Sequence, residues 1–128
     1  MSGDGFFFTG KAHESLIVQS KSAYDGATPA GASMAIHSLL RLAKHLDKPE
    51  FHDTAAKTLK LYFHQMDVLP SGSGQLLCEL AFLLSTPKEI AIIGEKEGTK
   101  TEAMLAALHG MYLPNKIVAL SEPTAETS

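Results

Sequence analysis

Apolar positions recur at helical spacing from residue 29 onward. Ala35, Leu39, Leu42 and Leu46 form one stripe and Ile36, Leu40 and Ala43 an adjacent one, while polarity is confined mainly to His37, Arg41 and Lys44. The spacing predicts a helix over 29–46. Thr28 offers a hydroxyl to an orphan backbone N–H at its start, and Pro29 gives up no hydrogen bond at the first helical position. Two adjacent stripes imply more than one packing neighbour. Asp47, followed by Pro49 and Glu50, predicts the start of a second helix. Along it Phe51, Ala55, Leu59, Tyr62 and Met66 step by four, four, three and four, and His52, Lys57, Lys60 and His64 make the wet face. A joint this short returns the helices antiparallel, as a hairpin over 29–67.

Pro70-Ser71-Gly72-Ser73-Gly74 breaks the pattern, and the stretch from Gln75 to Ser85 is apolar almost all round. It predicts a short buried helix whose single charge, Glu79, is paired, faces the one wet side or lines a cavity. From Lys88 the grammar changes. Glu89-Ile90-Ala91-Ile92-Ile93-Gly94 has strand length, Thr99 to Glu102 reads as a capping box, Met104, Leu105, Leu108 and Tyr112 make an apolar helix face, and Lys116 to Leu120 reads as a second strand. Residues 88–120 therefore predict a parallel β-α-β unit. Residues 1–28 read as an extended or looped entry, and Ser121 to Ser128 as a polar tail. Two strands and one helix cannot cover a parallel sheet on both faces, so the expectation is a fragment of a larger protein, or a chain that completes its core with another copy.

Composition narrows the partners. With 128 residues and 45% hydrophobic content the chain has ordinary globular make-up. Eleven Lys and Arg against fourteen Asp and Glu give a net charge of -3, no footprint for nucleic acid. One cysteine, Cys78, makes neither an internal disulfide nor a thiolate cluster, and on so apolar a helix it reads as a small hydrophobe. Phe6-Phe7-Phe8 is too short for a signal core or a membrane span, so a cytoplasmic chain with no membrane partner is expected.

Four blocks in order carry a resemblance: Tyr24-Asp25-Gly26-Ala27-Thr28-Pro29-Ala30-Gly31-Ala32-Ser33, Leu39-Leu40-Arg41-Leu42-Ala43, Lys88-Glu89-Ile90-Ala91-Ile92-Ile93-Gly94 and Tyr112-Leu113-Pro114-Asn115-Lys116. From about Gly5 to Leu120 the chain resembles the C-terminal part of the YyaL-like, spermatogenesis-associated thioredoxin-like family. The resemblance implies a fold: a thioredoxin-like domain joined to a six-hairpin (α/α) toroid, shared with N-acylglucosamine 2-epimerases and several glycosidases, and then a small α/β element. On that pattern residues 1–86 are the terminal part of the toroid and 87–128 the start of the α/β appendage, without the thioredoxin-like domain. The expected class is mixed α and β, a helical hairpin followed by a parallel β-α-β unit. Fold analogy carries no reaction with it.

In such a toroid, loops before helices face the central cavity. His13, Glu14 and Asp25 are thus the candidate rim of a small-carbohydrate pocket, with Asp25 able to grip a hydroxyl or exchange a proton. The competing reading of Asp25 is an Asp-Gly turn that ties up local backbone. The six histidines lack the spacing of a zinc helix, so no metal is expected. Gly94 to Gly98 sits where α/β folds hold phosphates, yet it has two glycines, no Gly-Lys-Ser/Thr ending and two glutamates, and no cofactor is expected either. The sequence thus reads as a non-catalytic part of a carbohydrate-active type of protein, or as an interaction module that self-associates through exposed core surfaces.

Overall fold

The computed structural model describes residues 23–124. They are mixed α and β: α1 (Gly31–His45), α2 (Pro49–Leu61), α3 (Phe63–Val68), a 3-10 turn at Pro70–Gly72, α4 (Gly74–Leu84), β1 (Lys88–Ile93), α5 (Thr99–His109) and β2 (Lys116–Ser121). The chain divides into two compact units between Ser85 and Thr86.

In the first unit α1 packs against both α2 and α4. Its core is Ile36, Leu40 and Ala43 from α1, Ala55 and Leu59 from α2, Met66 from α3, and Leu76 and Phe82 from α4. Only one of the two expected α1 stripes is inside. Leu42 and Leu46, from the other, stay exposed. The expectation that α4 is buried all round is corrected as well: Leu76, Glu79 and Phe82 face inward, whereas Cys78 is exposed and Leu84 is 78% exposed. A helix packed on one neighbouring layer buries one face whatever its composition.

The helix ends also differ from expectation. Asp47 does not start α2; it ends α1, with φ 50° in the left-handed region that short polar side chains tolerate. Leu46 donates to Leu42 O and Lys48 to Ala43 O (3.0 Å), so the last carbonyls of α1 are satisfied across this turn. α2 then begins at Pro49 with Lys48 as its N-cap residue. The second helix is interrupted at Tyr62, whose N–H reaches back three residues to Leu59 O before α3 resumes and keeps Met66 inside. Burial raises the Tyr62 phenol above its usual pKa.

In the second unit β1 and β2 pair in parallel, Ile90 opposite Val118 and Ile92 opposite Leu120. The intervening α5 makes this the expected β-α-β unit. Thr99 is the first helical residue and not its cap; Gly98 holds the N-cap position, and Glu102 donates its N–H to Gly98 O. Tyr112 lies beyond the helix and is exposed. Between β1 and α5 an apolar groove of about 370 Å³ stays open, lined by Ile90, Ile92, Met104, Leu108, Met111 and Leu113.

Candidate functional site

Of the expected rim trio only Asp25 is among the described residues; His13 and Glu14 lie outside them. Asp25 is 8% exposed, and its carboxylate accepts three backbone N–H groups. Oδ1 takes Ala30 N–H at 2.9 Å, at the entrance to α1. Oδ2 takes Gln75 N–H at 2.9 Å and Leu76 N–H at 3.1 Å, in the first turn of α4. Its own N–H donates to Gly72 O at 2.8 Å. One side chain thus serves the starts of two helices, where unsatisfied donors and the helix dipole both favour a negative charge. Neither Ala30 nor Ser73, the N-cap residues of α1 and α4, supplies a side-chain cap. The Thr28 hydroxyl expected to cap α1 is replaced by this carboxylate.

A second polar constellation lies between α1 and α4. Helical spacing sets it up: His37 and Arg41 are four residues apart on α1, Gln75 and Glu79 four apart on α4, so each pair shares a face. Glu79 is 1% exposed and fully engaged. Its Oε1 lies 2.7 Å from His37 Nδ1 and accepts from Gln75 Nε2; its Oε2 accepts from Arg41 Nη1 at 2.8 Å. Arg41 Nη1 also donates to His37 O at 3.2 Å, and the guanidinium lies over the Phe82 ring, 4.5 Å from its centroid. A carboxylate only accepts, so the shared hydrogen is assigned to His37 Nδ1. His37 and Arg41 are 31% and 27% exposed, so the buried carboxylate orients two side chains that are each partly open to solvent. One turn before His37, the Ser33 hydroxyl is buried with no hydrogen-bond partner among the described residues.

From the sequence, Glu79 has three open readings, and His37 and Arg41 stand only as polar positions of the first helix. The signal that points to the cluster is one carboxylate in an otherwise apolar helix, since a charge there needs partners from a neighbour. Chemically the arrangement can hold an imidazole and a guanidinium at fixed positions. Among the described residues no group of three or more His, Cys, Asp or Glu can hold a metal ion. No helix among them is long and apolar enough to cross a membrane.

Over 121 residues, 94% of the chain, the sequence is 28% identical to spermatogenesis-associated protein 20 of Mus musculus and 27% identical to that of Homo sapiens. The chain is homologous to spermatogenesis-associated protein 20. It spans about 15% of the length of these relatives. It is also 30% identical over 114 residues to the uncharacterized protein B0495.5 of Caenorhabditis elegans, covering 89% of the chain and 16% of that protein. No family model matches the chain, and no solved structure matches it. The homology to spermatogenesis-associated protein 20 covers both compact units and includes Asp25, His37, Arg41 and Glu79 within its span.

Proposed function

We propose that the chain acts as a non-catalytic part of a larger protein built like spermatogenesis-associated protein 20, to which it contributes the last hairpin portion of an (α/α) toroid and the start of an α/β appendage. The observation that carries this reading is the open groove of about 370 Å³ between β1 and α5. A two-stranded parallel sheet with one helix leaves its apolar sides under-covered, and further strands or helices are what normally cover them. The 15% share of the relatives' length is consistent with such a part. In this reading Asp25 holds helices together rather than substrate, and a carbohydrate pocket, if His13 and Glu14 rim one, needs side chains from other hairpins in register. The thioredoxin-like domain and a cytoplasmic setting belong to the same proposal.

A second reading, a self-associating interaction module, is favoured by Leu77, Ala81 and Leu84, which lie four and three residues apart along α4 and are all exposed. Sedimentation of the purified chain across a concentration series separates the outcomes. Dimers or larger species that weaken on Leu84→Glu, together with no turnover of sugar substrates, support exposed core surfaces as the working feature. A monomer that unfolds cooperatively and binds no hydrophobic dye overturns the incomplete-core reading. Sugar turnover abolished by Asp25→Asn overturns the non-catalytic one.

A further inference from the structure

We infer that the surface over Glu79 is a binding site for a small carboxylate, gripped by Arg41 and His37. Three observations lead there. Arg41 uses Nη1 for both of its hydrogen bonds, to Glu79 Oε2 and His37 O, so its Nε–H and both Nη2 hydrogens have no hydrogen-bond partner among the described residues. The Nε/Nη2 edge of a guanidinium is a planar two-donor fork whose spacing matches the two oxygens of a carboxylate. Phe82 lies against one face of the guanidinium, so the ligand meets that edge and not the covered face.

His37 stands one helical turn away, on the same face of α1. Its Nδ1 is committed to Glu79, and Nε2 has no hydrogen-bond partner among the described residues. An Nε2–H of the protonated ring is a third charge-assisted donor for a carboxylate held on the Arg41 fork. Both side chains are already held by Glu79, so little rotamer freedom is lost on binding. The buried carboxylate also limits the choice of ligand. Glu79 offsets the charge of Arg41 and repels a dianion, which favours a monovalent, planar oxyanion over phosphate and places the affinity in the millimolar range.

The test is a titration of the 128-residue chain with sodium acetate at constant ionic strength, read by NMR at the Arg41 Nε–H and the His37 ring. The expected result is a saturable shift at both, absent with sodium chloride or methyl acetate and weaker with phosphate. Arg41→Lys keeps the charge that Glu79 needs but removes the fork, and should weaken binding about tenfold. His37→Gln retains a donor toward Glu79 and should weaken it about threefold to tenfold. The remaining amide spectrum of α1 and α4 shows whether each variant stays folded. No saturation with acetate, an equal response to chloride, tighter binding of phosphate, or a folded Arg41→Lys that binds like the parent would each overturn the proposal.

Discussion

Asp25 accepts the N–H of Gln75 at 2.9 Å across 50 positions of sequence. An N-cap is ordinarily the neighbouring residue; here it arrives from the opposite end of the helical unit. Asp25→Ala should therefore release the start of α4 and the entrance to α1 together. Loss of an N-cap side chain costs about 0.5–2 kcal/mol, and three backbone donors to one buried, charged acceptor put the change at or above the upper end, about 2–3 kcal/mol. Urea unfolding checks it: a lowered midpoint with unchanged slope is expected, and Asp25→Asn should fall between parent and alanine.

The two sides of the ion pair should respond unequally. Arg41→Ala leaves Glu79 buried without its guanidinium partner and should cost about 3–5 kcal/mol. Glu79→Gln leaves Arg41 at a partly exposed position where water can solvate it, and should cost less. Thermal unfolding of both variants tests the order; Glu79→Gln as the more damaging change would contradict the burial asymmetry.

Tyr62 gives a pH dependence. Its folded pKa is raised by burial above the unfolded value of about 10, so the folded state holds this proton more tightly. Its contribution is fully present below pH of about 10 and is lost as pH rises through the folded pKa. Stability measured on either side of that window should fall less in Tyr62→Phe than in the parent.

Gly94 abuts a helix side chain. A Cβ built on Gly94 would collide with Thr101 Oγ1, and Thr101 is buried on α5. Gly94→Ala should destabilise the β-α-β unit, and adding Thr101→Ala, which removes the offending oxygen, should recover part of the loss. A double-mutant cycle reads the coupling; strict additivity would count against the contact.

Local periodicity explains what was legible in the chain. Ala55, Leu59 and Met66 are buried as their spacing requires, and His52, Lys57, Lys60 and His64 are exposed. The parallel strands follow from two apolar runs separated by a helix. Relationships between distant residues were not legible. The choice of Asp25 over Thr28 as the acceptor at the start of α1 depends on where Gly72 and α4 lie, and no local pattern encodes that. Which of the two α1 stripes would be covered was not legible either: α2 and α4 cover the one with Ile36 and Leu40, the latter 1% exposed, and the uncovered one carries Leu42 and Leu46. Leu40→Glu would consequently disrupt the fold and is no probe of association. The break at Tyr62 contains neither Pro nor Gly, so nothing in its composition announces it.

The lone charge of α4 has a consequence for how many ways the helices can be stacked. Leucine-rich surfaces are poor judges of alignment, because sliding one helix by a turn, about 5.4 Å, exchanges one aliphatic contact for another at little cost. With Glu79 in the seam the neighbouring alignments are no longer near-equivalent: a shift of one turn removes the carboxylate from His37 and Arg41 and strands it among hydrocarbon. The cluster thus acts as a detent, stopping α1 and α4 at one mutual position out of several that oil alone would accept.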